Sequence, residues 1–209
     1  MVQLEVYGDP RSMCTQKILI LLEELSLKYE LKSVDLSKGE HKSDEFLKLN
    51  PFGKVPAVKY GSRELFESRS ILRYIAKNNV EIDDLLGGVD VDIWLESESQ
   101  SYNPLVSKII YEKVFKKVYN NDEKPDEELV EKLLKELEGV LDIYERRLEK
   151  VSYIGGDTFS IADISHIPYT NLMLRIGYKE MYKSRPNVYK WLKRIMKRDS
   201  VKDVLSKNN

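Results

Sequence analysis

A small α/β domain followed by an all-helical domain is the fold class that this sequence predicts. Short strand patterns alternate with amphipathic helical patterns over residues 1–80. Beyond about residue 90 the strand patterns stop and long helical stripes replace them. The first observation predicts a mixed sheet with helices packed on it, and the second predicts a helical domain. We find no internal repeat and no low-complexity segment.

The segment up to residue 49 predicts two strands and two helices. Apolar and polar residues alternate from Val2 to Val6, as is typical of a first strand, and the Gly-Asp-Pro that follows is a turn. Ser12 precedes an amphipathic helix. One face of that helix carries Ile18, Leu21, Leu22 and Leu25. The remaining predicted elements are a strand at 29–34, a polar loop at 38–43 and a short helix at 44–49.

The stretch 50–71 predicts a turn, a hairpin and the start of a helix. Pro56 cannot donate a hydrogen bond within a sheet, so it belongs at the start of a strand, and an X-Pro bond is the kind most often found cis. A tight hairpin follows. Glu67 and Ser68 then come directly before a helical pattern. Ser68 is therefore predicted near the first turn of a helix, where free backbone N–H groups favour a carboxylate ligand.

The second half of the chain predicts helices throughout. A helix over 94–119 contains Pro104, which we expect to kink it. Next comes a core-facing helix with apolar residues three and four apart. Its stripe is Val130, Leu134, Leu137, Leu141, Tyr144 and Leu148. Ser160 and Asp163 form S-x-x-D, close to a capping box, and begin another helix. A final helix starts near Pro186.

These patterns place two domains along the chain. We expect residues 1–80 to form the α/β domain, 81–90 a linker and 91–209 the helical domain.

Composition narrows the class of protein. Charged residues make up 33% of the 209, but the formal net charge is only -1, so no overall field attracts the chain to nucleic acid or to a membrane. No apolar run approaches the roughly 20 residues of a membrane span, and the N-terminus lacks the pattern of a signal peptide. Cys14 is the single cysteine, so no internal disulfide forms. We therefore expect a cytoplasmic protein.

Several motifs, in a shared order, carry a resemblance to a known family. They are GDPRSMCTQK near the start, GEHK at 39–42, NPFGKVP at 50–56, LFESRSI at 65–71, LDIYERRL at 141–148, TFSIADISHIP at 158–168 and SRPNV at 184–188. Together they resemble the glutathione transferases, and within them the plant phi class. The resemblance implies a thioredoxin-like N-terminal domain that binds glutathione and a helical domain that lines the electrophile site. It also implies a cytosolic homodimer that needs no metal.

The resemblance places the activating hydroxyl at Ser12. From position alone, Ser12 is an ordinary N-cap. In the phi class, the matching serine donates a hydrogen bond to the glutathione sulfur, which favours the thiolate because hydrogen bonding to a charged form lowers its pKa. Tyr7 is a rival, since other classes use a tyrosine near this point, but its place in the strand pattern favours packing. Cys14 lacks the second cysteine of a redox motif, and we expect it to be a buried or half-buried filler.

Six further residues match the family's glutathione contacts. His41 and Lys42 would hold the glycine carboxylate, although a loop histidine is more often simply solvated. A cis Val55-Pro56 bond would present the Val55 backbone to the cysteinyl backbone of glutathione. Lys54 stands where the phi class usually has glutamine, so it can bind a carboxylate but cannot copy an amide. The other two are Glu67, for the α-ammonium of the γ-glutamyl group, and Ser68, for its carboxylate; helix capping is the structural alternative for this pair.

Other candidates are less specific. Met13, Phe115 and Tyr119 are assigned to the electrophile site, with core packing at least as good an interpretation of the two aromatics. Arg69 is as well explained by solvation as by binding. Asp163 and His166 resemble catalytic residues, but we assign both to helix structure. Phe52, an aromatic residue in a turn, would contact either a partner subunit or its own turn.

The sequence therefore predicts a glutathione transferase that conjugates or reduces small hydrophobic electrophiles. The reduction would be a glutathione peroxidase activity of the same thiolate. The first alternative is a non-catalytic carrier of hydrophobic ligands with the same fold. The second is an interaction module like the translation-factor relatives of this fold.

Overall fold

A computed structural model describes residues 3–79, 85–86, 88–119 and 123–207. The chain divides into two compact units, Met1–Leu86 with Arg198–Asn209, and Gly87–Lys197.

In the part of the chain that the structure describes, the first unit contains a mixed four-stranded sheet and four α-helices. Its strands are β1 (Leu4–Gly8), β2 (Glu30–Ser33), β3 (Ala57–Tyr60) and β4 (Arg63–Phe66). Its helices are α1 (Met13–Glu24), α2 (Asp44–Leu49), α3 (Ser68–Lys77) and α11 (Asp199–Ser206), with a short 3-10 turn at Glu40–Lys42. The predicted order of elements up to α3 is confirmed. Val2 lies outside the described residues, and the first strand extends past its predicted end at Val6.

The strands lie in the order β2-β1-β3-β4. β1 pairs parallel with β2 and antiparallel with β3, and β3 forms the predicted hairpin with β4. Val6 and Val58 are buried on one face, whereas Tyr7 and Ala57 point to the other, because successive strand residues alternate. The buried aliphatic residues of α1 and α3, such as Ile18 and Ile71, complete the main core.

The other face of the sheet carries α2 and a small second core. Phe46 of α2 packs with Val34 and Ala57, and Tyr7 and Leu49 pack against this cluster. The α2 helix has its predicted bounds because Ser43 caps it: the Ser43 hydroxyl accepts from the Phe46 N–H at 3.2 Å.

The last helix departs from the predicted domain boundaries. Helix α11 belongs to the first unit, where it packs against α1. The Arg198 guanidinium binds the Glu24 carboxylate, and the Ser200 hydroxyl donates to the same group at 2.6 Å. The expected helical domain over 91–209 therefore differs from the compact unit at its C-terminal end, because nothing in the sequence pattern identifies Glu24 as the partner of a distant helix.

The second unit is helical. Its helices are α4 (Gly88–Ser97), α5 (Asn103–Ile110), α6 (Lys116–Tyr119), α7 (Glu127–Leu148), α8 (Ile161–Met173), α9 (Lys179–Lys183) and α10 (Pro186–Ile195). Two π turns, Glu98–Tyr102 and Tyr111–Phe115, join α4, α5 and α6 into one run, and a third, Leu174–Tyr178, joins α8 to α9. The run begins at Gly88, inside the segment predicted to be a linker. Residues 80–84 and 87 of that segment lie outside the described residues.

The core of the second unit corrects one residue of the predicted stripe. Leu133 of α7 is buried, whereas Leu134 is only half-buried. The other predicted stripe positions are buried. No helix within the described ranges is both long and apolar enough to cross a membrane.

Candidate active site

The segments that carry the predicted site residues adjoin the ends of strands that lie at the same edge of the sheet. Tyr7 of β1 pairs with Ala57 of β3, and Ala57 pairs with Phe66 of β4. The residues that follow β1, precede β3 and follow β4 therefore leave the sheet together. β2 ends there too, since Gly8 pairs with Ser33. The segments so gathered carry Ser12, His41, Lys42, Lys54, Val55, Glu67 and Ser68.

Ser12 stands at the N-terminus of α1 without using its hydroxyl as a cap. Its backbone is extended (φ -68°, ψ 125°), and its side chain makes no capping hydrogen bond. The residue is half-buried. Its main chain is held on both sides, because its N–H donates to the Asp9 carbonyl and its carbonyl accepts from the Gln16 N–H, each at 2.9 Å. The hydroxyl thus sits on a fixed backbone beside the positive end of a helix dipole.

Asp9 shapes the turn that leads to Ser12, a role that the sequence pattern did not indicate. Its carboxylate is nearly buried and accepts from the Arg11 backbone N–H at 2.8 Å and from the Arg11 guanidinium at 2.8 and 3.1 Å. These hydrogen bonds, the side-chain one above all, lower the pKa of Asp9 below its usual 3.8. The Gly-Asp-Pro signal for a turn was present, but the carboxylate's partner was not evident from the sequence.

Tyr7 is engaged elsewhere. Its hydroxyl donates to Glu5 Oε2 at 2.6 Å. That hydrogen bond, followed by burial and nearby carboxylates, raises the pKa of Tyr7 to about 12. The ring packs against the second core, as the strand pattern predicted. Cys14 is half-buried, as expected.

Asn50 organises the turn that presents Lys54 and Val55. The side chain is buried, its Nδ2 donates to the Lys54 carbonyl at 2.5 Å, and its Oδ1 accepts from the Phe52 N–H at 3.1 Å. The Gly53 N–H closes the turn on the Asn50 carbonyl at 2.8 Å. The Val55-Pro56 bond is cis, as predicted. An Asn-Pro signal predicted a turn here, but not the buried amide that fixes it.

His41 and Lys42 approach this turn from the loop after β2. The Lys42 ammonium donates to the Phe52 carbonyl at 3.3 Å. Gly53 has a φ of +56°, and a Cβ there would meet the His41 carbonyl oxygen at 2.8 Å and Lys42 Nζ at 2.9 Å. Glycine is therefore required both by conformation and by close approach. No described residue lies in hydrogen-bond range of the buried Nδ1 of His41.

Glu67 and Ser68 bring a second helix N-terminus to the same edge. Ser68 is buried at the first position of α3. Glu67 precedes it with φ +66° and ψ 106°, a conformation that residues other than glycine rarely adopt. Its exposed side chain makes no capping hydrogen bond. Backbone strain of this kind concentrates at functional sites, and no sequence signal predicted it.

For the residues predicted to border the electrophile site, the structure gives positions along the helices and, for two of them, burial. Met13 is half-buried at the first position of α1. Phe115 is half-buried at the end of a π turn in the second unit. Tyr119 ends α6, but its side chain lies outside what the structure describes.

Asp163 and His166 are structural in their contacts. Asp163 is fully buried and accepts from the backbone N–H groups of Ile154 and Ser160, the Ser160 hydroxyl and the Trp191 indole, at 2.7 to 3.0 Å. Burial raises the pKa of Asp163, against these hydrogen bonds. His166 Nδ1 contacts the Ala162 carbonyl at 2.7 Å, so that nitrogen carries the proton, and Nε2 accepts from the Tyr144 hydroxyl at 2.9 Å.

Comparison with known proteins decides the family. The model of the glutathione S-transferase N-terminal domain matches residues 2–77, and that of the C-terminal domain matches residues 108–199. The chain belongs to the glutathione S-transferase family. Its thioredoxin-like N-terminal domain and helical C-terminal domain are those of the family fold, as predicted.

This transferase is similar to plant members of the family. A probable glutathione S-transferase GSTF1 from Oryza sativa subsp. japonica is 37% identical over 98% of this chain and 96% of the relative. The crystal structure of glutathione transferase F7 from Populus trichocarpa has a TM-score of 0.92 and 36% identity, covering 99% of each chain. Glutathione S-transferase I from maize, solved with an atrazine glutathione conjugate, has a TM-score of 0.90 and 32% identity over 99% of this chain and 98% of that one. The predicted phi-class resemblance is thereby confirmed.

Proposed function

We propose that this transferase is a serine-type enzyme in which Ser12 activates glutathione for attack on small hydrophobic electrophiles. The observation that carries the proposal is that the Ser12 hydroxyl is not used to cap its helix. It stands at a helix N-terminus yet makes no capping hydrogen bond, so its donor is available to a ligand at the sheet edge.

The chemistry needs a thiolate. A free thiol has a pKa near 8.5, so only a few per cent is ionised at neutral pH. A hydrogen bond donated by Ser12, together with the α1 dipole, favours the charged form. The thiolate sulfur then bonds to the electrophilic carbon, and the leaving group departs with its electron pair. The thiol proton passes to solvent.

The charged residues on the segments beside Ser12 support a proposed place for each end of glutathione. Glu67 would pair with the α-ammonium of the γ-glutamyl group, while Ser68 and the α3 N-terminus would bind its carboxylate. The Val55 backbone would pair with the cysteinyl backbone. His41, Lys42 and Lys54 would hold the glycine carboxylate, with the buried Nδ1 of His41 supplying a hydrogen-bonding group that has no described protein partner.

The electrophile is proposed to be small and hydrophobic. The maize relative was solved with a glutathione conjugate of atrazine, which supports an organic electrophile for this chain. Met13, Phe115 and Tyr119 would border it. The same thiolate suits reduction of an organic hydroperoxide, in which two glutathione molecules become the disulfide and the peroxide becomes an alcohol and water.

We further propose a cytoplasmic homodimer. Phe52 is 62% exposed in the turn, with its ring 6.0 Å from that of Phe66, and burial against a second copy would remove this apolar surface from water. Phe52→Ala is expected to shift the chain towards monomer in analytical ultracentrifugation.

The proposed function is tested by conjugation of an aryl halide. Ser12→Ala is expected to lower kcat/KM by about 100-fold, since it removes one hydrogen bond to a developing or full negative charge. Ser12→Thr keeps a hydroxyl and should retain much of the activity. Ser160→Ala is the matched control, because it removes another hydroxyl that directly precedes a helix. Its turnover per folded molecule is expected to equal that of the wild type. Full turnover in Ser12→Ala would refute the assignment, and glutathione binding without turnover in the wild type would favour the carrier.

A further inference from the structure

A groove on the α2 face of the sheet is not used by the proposed glutathione site. Its volume is about 700 Å³, within the range of small-molecule sites. It lies between α2 and the strands, and none of the residues assigned to glutathione lines it. Its lining includes Tyr7, Phe46, Leu49, Glu45, Lys48 and Glu64.

The floor of the groove is apolar and aromatic. Tyr7, Phe46 and Leu49 belong to the second core of the first unit, where a short helix covers only part of the sheet. The Tyr7 ring already attracts one cation of the chain itself, because Lys59 Nζ lies over the ring at 5.8 Å from its centroid. An aromatic ring in this position attracts positive charge through its π face.

The charges around this floor are predominantly negative. Three carboxylates and three ammonium groups line the groove, and two further carboxylates stand on the strands beside it. The carboxylates are Glu5, Glu30, Glu40, Glu45 and Glu64, and the ammonium groups are Lys32, Lys48 and Lys59. Lys32 is paired with Glu30, and Lys59 with Glu64 at 3.7 Å. The remaining charges favour a cation.

The pKa of Tyr7 is consistent with this excess of negative charge. Its pKa is raised to about 12, first by its hydrogen bond to Glu5, then by burial and by the carboxylates of Glu5, Glu30 and Glu45. The phenol therefore stays neutral at physiological pH. An added anion would meet these carboxylates, whereas a cation would be attracted to them.

We propose that this groove binds a hydrophobic organic cation, with its apolar body on Tyr7, Phe46 and Leu49 and its charge near Glu45. The site is separate from glutathione chemistry, so it stands whether or not Ser12 activates the thiol. It would give the protein a second ligand class, distinct from the electrophile.

The test is calorimetric titration of the full chain with tetraphenylphosphonium and, separately, with the equally sized anion tetraphenylborate. S-hexylglutathione is present at saturation, so that the glutathione and electrophile sites are filled. The cation is expected to bind with one site per chain and at least about tenfold more tightly than the anion. No binding of the cation under these conditions, or equal binding of both ions, would overturn the proposal.

Two charge reversals on one helical turn locate the site. Glu45→Lys, in the groove, is expected to weaken cation binding by about tenfold or more. Asp44→Lys changes the neighbouring residue of the same first turn, which does not line the groove, and should alter binding by about twofold at most. An equal loss in both variants, or none in Glu45→Lys, would refute the placement of the cation.

Discussion

Ser12 and Ser160 occupy equivalent places, each immediately before a helix, but the structure uses them differently. Ser160 is completely buried, and its hydroxyl and N–H both donate to Asp163 Oδ2 at 2.9 Å in a capping box. Ser12 is half-buried, and its hydroxyl makes no capping bond. Its helix starts from backbone hydrogen bonds and the Asp9 turn instead. A serine before a helix is thus a structural residue where its hydroxyl is consumed and a candidate for chemistry where it is not.

The largest expected effect is a loss of stability at Asp163, the hydrogen-bond partner of Ser160. Asp163→Ala should lower the free energy of unfolding by about 3–5 kcal/mol, because several buried donors, including the Trp191 indole, lose their acceptor. Urea denaturation measures the change. Asp203→Ala, an exposed aspartate of α11, should change stability by only about 0.5 kcal/mol. A loss at Asp163 no larger than at Asp203 would show that the network is not structural.

A smaller effect is expected at the turn before Ser12, and it depends on pH. The pKa of Asp9 is lowered in the folded state, so its contribution to stability is present above the ordinary carboxyl value of 3.8 and is lost as pH falls through the lower folded value. Asp9→Asn should therefore cost about 1–2 kcal/mol at neutral pH, and the difference should shrink as the pH falls below 3.8. Denaturation curves at several pH values measure it; a pH-independent difference would contradict the ion pair.

The smallest effect is expected at Lys54. Because the side chain is exposed, Lys54→Gln should raise the KM for glutathione by only about two- to fourfold and leave stability unchanged. The increase should diminish at high salt. Lys77→Gln, at the far end of α3, is the control and should leave KM unchanged. A lower KM in Lys54→Gln would show that this position needs an amide rather than a charge.

The sequence predicted those parts of the fold and site that local patterns determine. Helix α2 has its predicted bounds because Ser43 and the acidic first turn are local signals. The cis bond before Pro56 was predicted because proline is the residue that permits it. The assignment of seven glutathione residues came from motifs, and strand register then placed their segments at one edge.

The features of the fold and site that the sequence did not predict depend on contacts between residues distant in sequence or on unusual backbone conformations. The positive φ of Glu67 has no propensity signal, since glutamate seldom adopts it. The Glu24–Arg198 contact joins residues far apart in sequence, so no local pattern indicated that helix α11 packs in the first unit. The π turns on either side of α5 were not predicted, because helical periodicity does not distinguish a π turn from a continuous α-helix. Leu133 and Leu134 fit the helical spacing equally, and only packing selects Leu133.

The most direct test of the central claim is a pH titration of bound glutathione, followed by the ultraviolet absorbance of its thiolate, in the wild type, Ser12→Ala and Ser160→Ala. The wild type and Ser160→Ala are expected to titrate alike, below about 7.5, because both keep the Ser12 hydroxyl beside the helix N-terminus. Ser12→Ala is expected to titrate close to the free-thiol value of about 8.5. Identical titration of Ser12→Ala and the wild type would contradict the role assigned to Ser12.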